Sequence, residues 1–159
     1  MAVFYSFHYR KDAWRVQQIM NMGKLEGQPL LNSQQWEAVK AKGDAAVRRY
    51  IEDNMKYKTA VVVLVGSETA DRRWVRYEIA KAWDDRKPLV GIRIHGLADA
   101  KGNTDTSGSN PFSSVTLQGG GNVGQYVTLH NPAGGTSQAV YNSIKDNINT
   151  WVDAAYKRG

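Results

Sequence analysis

Cysteine is absent from this 159-residue sequence, and its absence removes several kinds of chemistry at once. Disulfide bridges, thiolate nucleophiles and cysteine-ligated zinc sites are all excluded. Histidine is scarce as well: His8, His95 and His130 lie far apart, without the close spacing that metal-binding helices use. The sequence therefore predicts no catalytic metal.

Long apolar runs are also missing. No stretch of about 18 apolar residues occurs, so the sequence contains no candidate transmembrane helix. The first residues, 1–7, have no basic segment ahead of an apolar one, which a secretory signal requires. We therefore expect a cytoplasmic protein away from membranes. A chain of this length supports one hydrophobic core, so we expect one domain over 1–159.

Acidic residues are fewer than basic ones: the sequence contains 15 Asp and Glu against 21 Lys and Arg, which gives a formal net charge of +6. Such a charge attracts anions, whether nucleic acid, an acidic membrane surface or a dinucleotide. The basic residues occur as scattered pairs, at 48–49, 72–73 and 157–158, rather than as one stripe. This distribution favours a solvated surface over a nucleic-acid interface.

The apolar pattern alternates between strands and helices. Near-continuous apolar or β-branched runs predict parallel strands at 3–7, 59–65 and 88–94, with a short candidate strand at 28–31. Helical spacing and capping residues predict helices that begin at Asp12, Asn32 and Asp44 and helices over 72–86 and about 137–156. The alternation predicts an α/β fold, an open flavodoxin-like parallel sheet of about four to five strands with helices on both faces.

Residues 96–136 interrupt this alternation, because they are rich in Gly, Ser, Asn and Thr. We interpret them as a loop-rich insertion before the last helix, with β-like pieces at 114–117 and 125–130. The segment 119–124 has the glycine spacing of a dinucleotide-binding fingerprint, but a strand-like piece follows it instead of a helix. A hairpin turn is the better interpretation, since such turns need residues with positive φ.

One segment places a carboxylate beside an aromatic ring directly after the second predicted strand. It covers residues 72–79, RRWVRYEI. On a helix, Trp74 and Glu78 lie one turn apart at the border of the buried face. We expect Glu78 to be half-shielded and ionised near the crevice where open α/β sheets bind ligands. The alternatives are a solvated ion pair of Glu78 with Arg76 or Lys81, and plain core packing for Trp74.

Trp74-x-x-x-Glu78 after a hydrophobic strand resembles the Trp-x-x-x-Glu motif of TIR domains. Four further pieces agree in order, namely 3–9 (VFYSFHY), Trp36-Glu37 with the helix at Asp44, 63–69 (VLVGSET) and 110–112 (NPF). Together these pieces, within roughly residues 1–115, resemble the TIR-like ThsB proteins of bacterial Thoeris anti-phage systems. The C-terminal third offers no comparable match.

The resemblance implies a TIR-like fold and an enzyme that breaks the nicotinamide–ribose bond of NAD, with NAD as substrate and no bound cofactor. It implies that Glu78 is the catalytic carboxylate and that aromatic residues after the first strand help to form the nucleotide cleft. The expected substrate contacts are Phe7, His8, Tyr9, Trp36, Ser67 and Trp74. Alternatives stay open: Phe7 and Trp36 also suit the core, and His8 and Tyr9 an exposed loop.

One carboxylate suffices for this reaction, because nicotinamide leaves as a neutral pyridine and needs no general acid. The nucleophile that then attacks the ribosyl cation sets the product, and the residues do not select among the products. The family implies a cyclic ADP-ribose-type or conjugated signal that activates a partner effector, and self-association is a further expectation.

Two other functions compete with the enzyme. The first is a non-catalytic TIR-type module that only assembles with other chains. The second is a receiver-like domain, which is disfavoured because Gly66 and Ser67 follow the second strand where a receiver needs a phospho-acceptor aspartate.

Overall fold

The computed structural model describes all residues from Met1 to Gly159. Strands and helices alternate along the chain as predicted. Their bounds are β1 Val3–Ser6, α1 Tyr9–Asn21, α2 Ser33–Ala41, α3 Asp44–Met55, β2 Ala60–Val65, α4 Arg73–Asp84, β3 Leu89–Arg93, β4 Leu129–His130 and α5 Ser137–Asp153. Short 3-10 helices cover Thr69–Asp71, Pro111–Ser114 and Val123–Gln125.

The four strands form one parallel sheet in the order β1-β2-β3-β4. All six residues of β2 are buried, which explains its uninterrupted apolar sequence: both faces of a central parallel strand are covered. Ser6 of β1 pairs with Val63, and Val65 of β2 pairs with Arg93, so all strands end at the same edge. The predicted α/β class and open parallel sheet are confirmed.

Helices cover both faces of the sheet. On one face, apolar residues of α1 and α5, among them Val16 and Ile144, pack against strand residues such as Leu64. On the other face, residues of α2, α3 and α4 pack against the opposite side chains of the strands, as Ile79 does. The sheet is therefore packed between helices on both faces. None of the helices combines the length and apolarity needed to cross a membrane.

The N-terminal boundary of α1 differs from the prediction. Asp12 does not cap the helix; His8 does, because its Nδ1 accepts a hydrogen bond from the backbone N–H of Lys11. Asp12 instead lies in the first turn, fully buried, where it forms an ion pair with Arg15 at 3.1 Å. The predicted capping box of Asn32 is confirmed.

The predicted strand at 28–31 is wrong. Gln28 is buried, and its side-chain amide binds the backbone of β1 twice. The amide oxygen accepts from the N–H of Tyr5 at 2.9 Å, and the amide nitrogen donates to the carbonyl of Tyr5 at 2.8 Å. This side chain and the backbone of Glu26, which accepts from the N–H of Val3, together satisfy the edge of the sheet that a further strand would have satisfied.

The loop-rich stretch 96–136 contributes more than loops. It contains β4 and it places Phe112, fully buried, against Gly91 in the middle of β3. The predicted β-like piece at 114–117 is wrong, since it forms only an isolated antiparallel bridge between Thr116 and Asn122. Gly120 and Gly121, both with positive φ, close a tight turn between them. The predicted turn is therefore present, but the two strands of a hairpin do not flank it.

Candidate active site

A cleft opens at the C-terminal edge of the sheet, between the loop after β1 and the first turns of α2 and α4. Its volume is about 200 Å³. Six residues predicted for the site line it, namely Phe7, His8, Tyr9, Trp36, Trp74 and Glu78. The fold therefore brings together, from three separate segments, almost all of the residues that the sequence indicated.

Glu78 lies in the wall of this cleft, on α4 one turn after Trp74. Only 5% of the residue is exposed, so the expected half-shielded position is wrong. Its Oε1 atom accepts a hydrogen bond from the hydroxyl of Ser6 at 2.6 Å. The alternative ion pair with Lys81 is not formed either, because Lys81 binds Asp85 at 2.8 Å. Glu78 is a buried carboxyl group without a cationic partner.

Burial raises the pKa of Glu78 to about 8, while the hydrogen bond from Ser6 works in the opposite direction. In the free protein near neutral pH the neutral carboxyl group therefore predominates. This direction is opposite to the ionised carboxylate expected from the sequence, because no cation compensates for the loss of water around Glu78. A positive ligand in the cleft would lower this pKa.

The two oxygens of Glu78 have different surroundings. Oε1 is taken by Ser6, which is itself fully buried. Oε2 makes no hydrogen bond to the protein, and it is not among the unpartnered atoms sealed from solvent, which are Asp12 Oδ2, Tyr50 Oη and His95 Nδ1. Oε2 is therefore the oxygen that communicates with the cleft.

Aromatic rings form one wall of the cleft. The rings of Phe7 and Tyr9 are 4.3 Å apart, and Tyr9 stacks on Trp36 at 4.7 Å with an angle of 14° between the planes. Phe7 and Trp36 are both buried and both line the cleft, so the core and cleft interpretations hold together. Burial, with Tyr50 and Glu78 nearby, raises the pKa of Tyr9, so its hydroxyl stays neutral.

His8 is buried, which excludes its placement on an exposed loop. Burial and the neighbouring positive charge of Arg72 lower the pKa of its imidazole. Its Nδ1 accepts the capping hydrogen bond of α1, which fixes the proton of the neutral ring on Nε2. His8 therefore both begins α1 and contributes a neutral ring to the cleft.

Four basic residues line the cleft and were not predicted for it, namely Arg10, Lys40, Arg72 and Arg73. Arg73 is oriented by Asp44, which its guanidinium binds through both oxygens, and it lies 4.5 Å from the ring of Trp74. The only sequence signal was the pair Arg72-Arg73, which on its own indicated a solvated surface. Lys40 is paired with Glu37, which also lines the cleft, and Arg73 is paired with Asp44. Arg10 and Arg72 therefore supply the net positive charge of the rim, which suits an anion.

The structure does not bring Ser67 into the cleft. Its hydroxyl donates to Asp105 at 2.8 Å, and Asp105 also forms an ion pair with Lys11 at 3.2 Å. The hydrogen bond from Ser67 lowers the pKa of Asp105 to about 2. Ser67 as a substrate contact therefore stays a prediction, and in the structure an acidic residue of the loop-rich stretch binds its side chain.

Comparison with known proteins identifies the family. The family model of the Thoeris protein ThsB, TIR-like domain, matches residues 4–99, which include every residue that lines the cleft. A protein of Bacillus cereus (strain MSX-D12), named "Putative cyclic ADP-D-ribose synthase ThsB1", is 36% identical over 121 residues. The match covers 73% of this chain and 63% of that relative, less than two thirds of its length. The chain belongs to the TIR-like family of Thoeris ThsB proteins.

Proposed function

We propose that this protein cleaves the bond between nicotinamide and ribose in NAD, with Glu78 as the catalytic carboxylate. The observation that carries the proposal is the position of Glu78 Oε2, a free carboxyl oxygen at a cleft with one aromatic wall and a positive rim. The name of the Bacillus cereus relative, a cyclic ADP-D-ribose synthase, supports the same substrate.

The shape and charge of the cleft fit one end of a dinucleotide. Its volume of about 200 Å³ is below the roughly 300–1,000 Å³ of pockets that enclose a whole ligand. We infer that the nicotinamide riboside end enters beside the stacked rings of Tyr9 and Trp36. The pyrophosphate then lies over the rim, where Arg10, Arg72 and Arg73 supply charge-assisted hydrogen bonds.

The bond breaks with both electrons moving to the pyridinium nitrogen, so that nicotinamide leaves neutral and the ribose carbon becomes an oxocarbenium-like cation. An ionised Glu78 stabilises that cation. Bound NAD helps to produce the ionised form, because its positive pyridinium ring in the cleft lowers the pKa of a carboxyl group that burial has raised. The substrate thus contributes to the ionisation of the residue that acts on it.

The fate of the ribosyl cation determines the product. We propose attack by a nucleophilic atom of the same molecule, which closes a cyclic ADP-ribose-type ring and releases any proton of the attacking group to solvent. The aromatic wall of Phe7, Tyr9 and Trp36 favours this outcome by limiting the access of water to the cation. The cyclic product would be the signal that activates a partner effector.

The test is to incubate purified protein with NAD and to separate the products by chromatography and mass spectrometry. The assay is run with and without lysate of phage-infected cells, so that a trigger can act. We expect Glu78→Gln to lower nicotinamide release by about a hundredfold or more. Glu52→Gln is the matched control, because Glu52 lies outside the cleft and accepts from the hydroxyl of Tyr77.

Circular dichroism establishes that both variants are folded. Nicotinamide release by Glu78→Gln at the wild-type rate would reject the catalytic role. If no arm releases nicotinamide, with or without lysate, the protein is instead a non-catalytic interaction module.

A further inference from the structure

We propose that Ser6 is a positioning residue of this site, whose hydroxyl anchors Oε1 of Glu78 so that Oε2 is the oxygen presented to the ribose. The inference rests on the proposed function, since it concerns the same carboxylate. It assigns a role to a residue that does not line the cleft and that the motif around Glu78 does not contain.

The hydrogen bond between Ser6 and Glu78 connects the end of strand β1 to helix α4. Ser6 is the last residue of β1, held in register by its pairing with Val63 of the neighbouring strand. Its Oγ atom lies 2.6 Å from Oε1 of Glu78, although the two residues are 72 positions apart in the sequence. Because Ser6 is fully buried, it acts on the substrate only through Glu78.

No other hydrogen bond from the protein reaches the carboxyl group of Glu78. Glu78 has no ion pair, and the hydroxyl of Ser6 is the donor that it has in the protein. The titratable groups that influence it are Tyr9 from α1 and Tyr50 from α3, and burial raises the pKa of both. Other charged or titratable side chains line the same cleft, namely His8, Arg10, Glu37, Lys40, Arg72 and Arg73. Without Ser6 the buried carboxylate would lose its protein donor.

The hydrogen bond also controls ionisation. A hydroxyl that donates to a carboxylate favours the charged form, and it therefore opposes the effect of burial on the pKa of Glu78. Removal of the hydroxyl should raise that pKa further. A residue that only filled space at the end of β1 would not have this effect, so a pH profile separates positioning from packing.

The experiment compares wild type with Ser6→Ala, which removes the hydroxyl, and Ser6→Thr, which keeps it. Thr69→Val is the control, because Thr69 is an equally buried hydroxyl at the same sheet edge that accepts from the N–H of Gly66 and does not touch Glu78. The rate of nicotinamide release is measured against pH. A second titration follows the side-chain carboxyl carbons by NMR and needs no turnover.

We expect Ser6→Ala to move the ionisation midpoint of Glu78 upward by about one to two pH units, the size of a hydrogen bond to a charged group. At neutral pH its rate should fall by about tenfold to a hundredfold and recover as the pH rises. Ser6→Thr should restore most of the wild-type profile. Thr69→Val should leave the midpoint in place.

The chain has only five glutamates, so the NMR signals can be assigned by comparison with Glu78→Gln. An unchanged midpoint and rate in Ser6→Ala, with an active wild type, would overturn the role of Ser6 while the proposed function stands. If the wild type releases no nicotinamide, the proposed function fails, and the NMR midpoint decides the anchoring alone. An upward shift in Ser6→Ala supports it and an unshifted midpoint overturns it.

Discussion

The burial of Glu78 should make the stability of this protein depend on pH in a defined direction. The folded state favours the neutral carboxyl group, because burial raises the pKa of Glu78 from its ordinary value of 4.5 to about 8. Below pH 4.5 the group is neutral in both states, and the free energy of unfolding has its full value. As the pH rises toward 8 this free energy falls, since only the unfolded chain ionises freely.

The magnitude follows from the two pKa values. They differ by about 3.5, and each pH unit corresponds to about 1.4 kcal/mol, so the whole effect approaches about 5 kcal/mol. At pH 7 it amounts to about 3 kcal/mol. These figures are upper limits, because entry of water into the cleft would reduce the cost of ionisation. Even a third of the full effect is large beside the roughly 5–15 kcal/mol of a whole domain.

Glu78→Gln should therefore stabilise the protein while it abolishes activity. The glutamine amide stays neutral at every pH, and its oxygen can still accept from the hydroxyl of Ser6. In urea titrations followed by circular dichroism at pH 5, 7 and 9, the advantage of the variant should grow from near zero to several kcal/mol. Glu52→Gln, at an exposed site, provides the baseline for the chemical change alone. An advantage that does not vary with pH, or a more stable wild type at pH 9, would show that burial does not hold Glu78 neutral in the folded protein.

Three further predictions concern the cleft and its support. First, kcat/KM for nicotinamide release should rise with pH through about 8, the pKa of Glu78 in the free protein. The midpoint of kcat should be lower, because the pyridinium ring of bound NAD places a positive charge beside the carboxyl group. Second, Arg72→Gln should raise KM by about tenfold with little change in kcat, measured in steady-state assays at several salt concentrations. Third, Asp12→Ala should lower the free energy of unfolding, measured in urea, by about 3–5 kcal/mol, because it leaves the buried Arg15 without its carboxylate partner. A loss below about 1 kcal/mol would contradict this.

Most of the fold could be predicted from sequence because its signals are local. The apolar run of β2 and the capping box of Asn32 each lie within a few residues and leave few alternatives. The errors arose where a distant contact decided the outcome. Gln28 was predicted to begin a strand, but its side chain forms hydrogen bonds with the backbone of Tyr5, 23 residues away in the sequence. His8 and Asp12 are both able to cap a helix, and burial of Asp12 with Arg15 decided between them.

The features of the site were likewise predictable only where they depend on nearby residues. Glu78 and Trp74 were visible because their spacing places them one turn apart on a helix behind a strand. The protonation state of Glu78 was not predictable, since it depends on how completely other segments cover it and on a hydroxyl from β1. The position of Ser67 outside the cleft was not predictable, because its partner, Asp105, lies in the loop-rich stretch whose path the sequence does not reveal.

Product analysis of NAD incubated with wild type and with Glu78→Gln, each verified to be folded, tests the catalytic role of Glu78 most directly. We expect nicotinamide and an ADP-ribose isomer in equal amounts from the wild type and neither from the variant. Equal rates of nicotinamide release by the two proteins would contradict it, because the carboxyl oxygen at the cleft would then take no part in breaking the bond.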